Sequence, residues 1–324
     1  MRRYFGTDGV RGVANALLTP DFTLTLGRAI AQQLIRHSEP NHTPTVLIGR
    51  DTRRSGAMLE CALISGLCSV GVNVTSAGVL PTPGVAYLTR EGHYDLGIVL
   101  SASHNPAQDN GIKLIGGDGY KFPDEYEAEI EQLMSEAPQP FPYAKPEGIG
   151  VWHYDERESE QYLHYLLHTM REMTGEREPL RGVSIAVDCA NGAASQFAPV
   201  LLHELGARVS LFHAEPNGDN INDRCGSTHL DALKNAIRET GAQLGVAYDG
   251  DADRALFCDE KGQVVDGDAV MTLWALTRHA QGTLTPPMVV ATDMSNLGME
   301  RRLEAEGIQL VRTRVGDRYV VEAM

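Results

Sequence analysis

The sequence predicts an α/β fold made of successive, related three-layer α/β/α domains with mixed sheets, the third of them incomplete. Three observations carry that expectation. Short apolar runs of strand length alternate with stretches whose apolar residues recur at helical spacing. One strand–loop–helix plan occurs three times, and the alternation stops soon after its third occurrence.

The first alternation is clear between residues 45 and 103. "TVLIGRD" (45–51) reads as a buried strand, "SGAMLECALISGLCSVG" (55–71) as a helix and "VNVTSAG" (72–78) as a strand. "TPGVAYLTREG" (82–92) is a helix opened by Pro83 in its first turn, and "DLGIVLSAS" (95–103) is a strand again. "GGDG" (116–119) follows a strand with no helix after it, so a hairpin turn is expected.

The repeated plan is visible in "VLIGRDTRRSG" (46–56), "SIAVDCANGAAS" (184–195) and "VVATDMSNLG" (289–298). Each is an apolar strand ending in aspartate (Asp51, Asp188, Asp293), then a polar loop, then a glycine at a helix start. Such self-similarity indicates three related units. The Pro-rich "SEAPQPFPYAKPEGIG" (135–150) marks a boundary. The expected domains are therefore residues 1–155, 156–258 and 259–324. About 60 residues make a marginal core for the last unit, and its sheet would end on an open edge, so the chain reads as cut short.

Composition narrows the function. With 324 residues, 42% hydrophobic and 22% charged, the chain is a globular protein of more than one domain. A formal net charge of −15 argues against nucleic acid or an anionic membrane as the main partner, while leaving room for an anionic small substrate at a local basic cluster. No apolar run approaches the ~20 residues of a membrane span, and "MRRYFGTDG" lacks the core of a signal peptide. Five cysteines without a CxxC pair fit a reducing cytoplasm. Oligomeric state is not legible.

Two segments carry chemistry. In "GIVLSASHNPAQDNGIKLIG" (97–116) a buried strand breaks into Ser101, Ser103, His104 and Asn105, with Lys113 on the return. Ligand sites of open α/β sheets lie at strand C-termini, and a serine there gains reactivity from neighbouring donors and positive charge. In "LGVAYDGDADRALFCDE" (244–260) Asp249, Asp251 and Asp253 alternate with small residues, and Arg254 follows. Three such carboxylates repel one another and call for a hard divalent cation, Mg²⁺ or Ca²⁺ rather than zinc. An EF-hand is disfavoured because Arg254 stands where that loop needs glycine and the flanks read as strands. A serine, a divalent ion and nearby Arg and Lys together suit phosphoryl transfer. No GxxxxGK[ST] loop or G-x-S-x-G elbow is present. Arg11 in "YFGTDGVRG" (4–12) lies between glycines in a loop able to approach an anion. His164 and His168 stand four apart on a helix, but their neighbours Tyr165, Leu166 and Leu167 suggest packing rather than metal.

"TDGVRG", "SASHNPAQDNGIK", "DGDADR" and "VGDRYV", in that order, resemble the α-D-phosphohexomutase superfamily, and the resemblance spans essentially the whole chain. It implies four domains, of which the first three are related α/β units and the fourth is missing here. It also implies that Ser103 carries the phosphoryl group and, with Asp249, Asp251 and Asp253, forms a Mg²⁺ site. Arg11, His104, Lys113 and Arg254 are then expected to line the transfer centre, with Ser101 the rival hydroxyl. The implied reaction interconverts glucosamine 6-phosphate and glucosamine 1-phosphate through a sugar 1,6-bisphosphate. A phosphomannomutase or phosphoglucomutase of the same superfamily, or a non-catalytic metal-binding relative, is the alternative. Without the sugar-recognition loop of the family, little turnover is expected.

Overall fold

The computed structural model describes residues 3–6, 9–135 and 142–324; part of the Pro-rich boundary segment, residues 136–141, lies outside them. The described chain divides into two compact units, residues 1–255 with 260–262, and residues 256–259 with 263–324.

In the larger unit the first elements are β1 (Phe5–Gly6), β2 (Gly9–Val13), α1 (Pro20–His37), β3 (Thr45–Arg50), α2 (Gly56–Val70), β4 (Asn73–Val79), α3 (Thr82–Glu91), β5 (Leu96–Leu100), β6 (Asp109–Gly116), α4 (Asp124–Ser135) and β7 (Trp152–Tyr154). Among the described residues the strands form one sheet in the order β1-β2-β6-β5-β3-β4-β7. It is mixed: β3 runs parallel to β4 and β5, whereas β6 runs antiparallel to β5 and β2. The turn after β6 is tight, Gly116 N donating to the Tyr120 carbonyl at 2.7 Å.

Local chemistry explains the helices. Thr19 caps α1 by accepting Phe22 N at 3.1 Å, and Pro20 occupies the first turn, where its missing N–H costs nothing. Leu26, Ile30 and Leu34 are then buried in the core cluster they share with Leu59 and Leu63 of α2. α1 and α2 meet at glycines: a Cβ on Gly66 would lie 2.5 Å from the Leu24 carbonyl oxygen. α2 ends where Gly71 turns to φ +108°, the left-handed cap that glycine adopts at least cost.

The unit continues with α5 (Arg157–Thr174), β8 (Ser184–Asp188), α6 (Ala194–Glu204), β9 (Arg208–Phe212), α7 (Asp231–Thr240) and β10 (Leu244–Tyr248). β8 lies between β10 and β9, parallel to both, and Leu233, Ala236 and Ile237 of α7 are buried. One apolar cluster joins this part to the first sheet: Tyr162 of α5 and Phe197 of α6 share a core with Leu47, Leu80, Val85 and Val99.

The smaller unit contains most of β11 (Ala255–Asp259), then β12 (Val264–Val265), α8 (Gly267–Ala280), β13 (Met288–Thr292), α9 (Leu297–Glu304), β14 (Gln309–Thr313) and α10 (Asp317–Ala323). β13 and β14 pair in parallel over a small core of Ala275, Ala291, Met299, Leu303 and Ile308. Asp266 and Asn296 cap α8 and α9. The α/β fold with mixed sheets is the one the alternation predicted. α1, α4, α7 and α10 are helices that the sequence reading did not name.

The repeated aspartates have a structural use. Asp51 Oδ1 accepts Arg53 N at 3.0 Å, and Asp188 Oδ1 accepts Ala190 N at 2.9 Å. In each, a buried carboxylate at a strand end satisfies the backbone of the loop that follows.

Candidate active site

Two loops of the larger unit meet at strand C-termini. The first leaves β5 and reaches Ser103, which is 1% exposed with φ +52°, a left-handed conformation uncommon for a residue with a side chain. Ser101, fully buried, donates from Oγ to Asp51 Oδ2 at 2.6 Å and accepts Ser103 N at 2.9 Å. The rival hydroxyl is therefore committed to the scaffold. Burial pushes the Asp51 carboxyl above its ordinary range, against the pull of Arg53 and Ser101.

Ser103 Oγ points the other way and donates to Asp249 Oδ2 at 2.6 Å. Asp249 opens the second loop, which leaves β10 and turns through Ala252 at φ +54°. The loops pass so closely that a Cβ on Gly250 would sit 2.6 Å from the Ser103 carbonyl oxygen, which accounts for a glycine between two aspartates. Carboxylate oxygens of Asp249, Asp251 and Asp253 all lie within 4.8 Å of one another. Asp249 and Asp251 are buried, and the Asp253 side chain is 31% exposed.

Lys113, on β6, lies 3.0 Å from Asp251 Oδ2 and 3.6 Å from Asp253 Oδ2. Thr82, at the start of α3, donates from Oγ1 to the same Asp251 oxygen at 2.7 Å and from its backbone N to the Asp251 carbonyl at 3.0 Å. Asp251 Oδ1 is buried with no hydrogen-bond partner among the described residues. Burial, together with the charges of Asp251 and Asp253, pushes the Asp249 carboxyl up to about 7. Burial also works against ionised Asp251, but Lys113 and the Thr82 hydrogen bond prevail and hold it below the ordinary range. An all-oxygen donor set, mutual repulsion and an unpartnered buried oxygen fit a hard divalent cation.

Cationic groups stand beside this centre. His104 Nδ1 is 3.4 Å from Ser103 Oγ and accepts from Arg254 Nη1 at 3.2 Å. Burial, Arg254 and Arg11 all lower the His104 pKa, so the ring is neutral at neutral pH. Arg11 is on β2, opposite Gly111 of β6. The structure thus brings Ser103, His104, Lys113, Arg254 and the three aspartates into one centre, with Arg11 near enough to act on His104 through its charge. A cleft of about 540 Å³ opens against His104, bounded by Gln108, Asn222, Arg224 and His229.

Sequence reasoning missed three residues of this centre: Thr82, Arg53 and Asn222. Arg53 had a usable signal, an arginine two residues after a strand-end aspartate. Thr82 and Asn222 act across sequence separations of 169 and 119 residues and left none. The other metal-like groupings resolve otherwise. Asp188, His213 and Cys225 lie together, but Asp188 is occupied by the Ala190 and Gly226 amides, and burial and the Asp188 charge push the Cys225 thiol up to about 12. His168 pairs with Glu172 at 3.2 Å on the exposed face of α5. Strands β10 and β11 flank the aspartates, as a calcium-binding helix–loop–helix would not allow.

Three profiles described as "Phosphoglucomutase/phosphomannomutase, alpha/beta/alpha" domains I, II and III match residues 2–140, 160–262 and 266–324. The whole chain aligns at 48% identity with 71% of the phosphoglucosamine mutase of Syntrophomonas wolfei. The chain belongs to the phosphoglucosamine mutase family. Among solved structures, 98% of it superposes on 70% of a putative phosphomannomutase from Thermus thermophilus at a TM-score of 0.83 and 24% identity. All of it superposes on 64% of the Aspergillus fumigatus N-acetylphosphoglucosamine mutase at 0.55 and 18%, a structure in complex with GlcNAc-6P and magnesium. No helix among the described residues is long and apolar enough to cross a membrane.

Proposed function

We propose that this chain interconverts glucosamine 6-phosphate and glucosamine 1-phosphate through phosphorylated Ser103, with Mg²⁺ held by Asp249, Asp251, Asp253 and an oxygen on Ser103. The observation that carries the reading is the 2.6 Å contact between Ser103 Oγ and the first carboxylate of the acidic triad. The ion supplies charge neutralisation for the phosphoryl group when bound.

The chain's own residues supply the rest. In the forward direction the bond from phosphorus to Ser103 Oγ breaks as one forms to the free sugar hydroxyl, giving the 1,6-bisphosphate. His104 Nδ1, 3.4 Å from Ser103 Oγ, can take up that hydroxyl's proton once Arg254 turns from it toward the phosphoryl group. The bisphosphate then returns its other phosphoryl group: phosphorus bonds to Ser103 Oγ, its bond to the sugar oxygen breaks, and that oxygen takes up the proton. Lys113 and Arg254 contribute positive charge to a transfer that depends on positioning and electrostatics. A reducing cytoplasm suits the five free thiols.

Phosphopeptide mapping by mass spectrometry, before and after incubation with glucosamine 1,6-bisphosphate and Mg²⁺, tests the reading. Phosphate on Ser103 is expected. Phosphate on Ser101, or none on a folded chain, would overturn it.

A further inference from the structure

Arg53 is the largest fully buried side chain among the described residues, at 1% exposure, and no part of the proposed chemistry uses it. A guanidinium has five N–H donors, and here all five are engaged. Nε donates to Asp51 Oδ2 at 2.9 Å; Nη1 donates to the carbonyls of Pro106 and, at 2.9 Å, Asp109; Nη2 donates to those of Ser103 at 2.9 Å and Asn105 at 2.8 Å. Four carbonyls of one loop thus converge on a single side chain.

Asn222 reaches the same loop from the part of the unit that contains the aspartates. Its Nδ2 donates to the Ser103 carbonyl at 2.8 Å and the Asn105 carbonyl at 3.1 Å, and Asn222 is 8% exposed. The Ser103 carbonyl therefore has two donors, one from each side. That carbonyl is also the atom against which Gly250 packs. Its position fixes both the left-handed turn at Ser103 and the approach of Asp249.

We propose that Arg53 and Asn222 are positioning residues for phosphoryl transfer, holding the Ser103 loop so that Oγ meets the incoming phosphorus beside the acidic triad. The inference rests on the reading of Ser103 as the phosphoryl carrier. Neither residue touches the reacting atoms. Both act through the Ser103 and Asn105 carbonyls, so their removal affects the rate of transfer and leaves occupancy by the donor unchanged.

The test is single-turnover phosphorylation of the full chain by glucose 1,6-bisphosphate with Mg²⁺, followed by intact mass, for the native chain, Arg53→Lys and Asn222→Ala. Lysine keeps the charge beside Asp51 but has three donors for five acceptors. Displacement of a reacting group by a fraction of an ångström is expected to slow transfer by about tenfold or more in both variants. The half-saturating bisphosphate concentration is expected to remain within about twofold of native. Native rate constants in folded variants would overturn the proposal, as would a raised half-saturation at an unchanged rate constant. If Arg53→Lys does not fold, Asn222→Ala decides alone, since it removes only one amide. A native chain that never loads Ser103 would instead overturn the reading on which this one rests.

Discussion

Thr82 holds Asp251 twice, with its hydroxyl at 2.7 Å from the carboxylate and its backbone N–H at 3.0 Å from the carbonyl. The hydroxyl and Lys113 share Oδ2, and this leaves Oδ1 for another positive partner. The orientation of a proposed metal ligand is thus set by the first residue of α3. Such outer partners commonly alter metal affinity by about 10–100-fold.

Thr82→Val keeps the side-chain volume close to native and removes the hydroxyl. Mg²⁺ affinity measured by calorimetry is expected to weaken by about tenfold, as loss of a charge-assisted hydrogen bond implies. Unchanged affinity would show that Lys113 alone orients Asp251.

The raised Asp249 carboxyl sets a pH dependence. Its folded pKa of about 7 lies above the ordinary value of 3.8, so it stabilises the metal-free fold fully below that ordinary value, and this contribution is lost as pH rises through about 7. The metal-free melting temperature is therefore expected to fall between pH about 4 and 8, and saturating Mg²⁺ to oppose the fall. Mg²⁺ affinity should decline below pH about 7, and Asp249→Asn should flatten the metal-free melting profile. A metal-free profile that is equally steep in Asp249→Asn would assign the titration elsewhere.

Ser101 and Ser103 are expected to separate cleanly. Ser103→Ala removes the proposed phosphate acceptor and leaves the scaffold bonds of Ser101 intact. It also takes a donor from Asp249 Oδ2, whose raised carboxyl can hold a proton instead, so its stability cost should be smaller than that of Ser101→Ala. Ser101→Ala leaves the buried Ser103 amide without its acceptor and is expected to cost about 1–3 kcal/mol. A reversal in chemical denaturation, with Ser103→Ala the weaker fold, would contradict this division.

Gly66→Ala provides a test of packing. In an exposed helix interior this change gains roughly 1 kcal/mol from propensity. Here the new Cβ would lie 2.5 Å from the Leu24 carbonyl oxygen, so α1 and α2 must part. The clash is expected to win, with a net loss of about 1–3 kcal/mol on urea denaturation.

The sequence made the central strands and several helices legible because periodicity is a local property, as in the continuous apolar run of β3 and the spaced apolar residues of α2. The short or exposed strands β1, β2, β7, β9 and β12 carry too little pattern to read. The clustering of the acidic loop was equally legible, since three aspartates at alternate positions repel one another and are local in sequence. Ser103 was separated from Ser101 by resemblance alone. Their roles depend on which hydroxyl faces Asp51 and which faces Asp249, and both partners are remote in sequence. Thr82 reads as an ordinary helix start, and Asn222 as one of several turn asparagines in "NGDNIND". Only folding gives either its partner.

The core shared by Tyr162, Phe197 and the first sheet makes the two halves of the larger unit a natural split pair. A break after β7 would place Ser103, Lys113 and Thr82 on one fragment and all three aspartates on the other. Neither fragment alone would hold the proposed site, and the buried aromatic surface they share would favour their reassembly. If the triad binds a divalent ion as proposed, the same division would offer a metal-gated complementation switch, with the ion stitching the two fragments together.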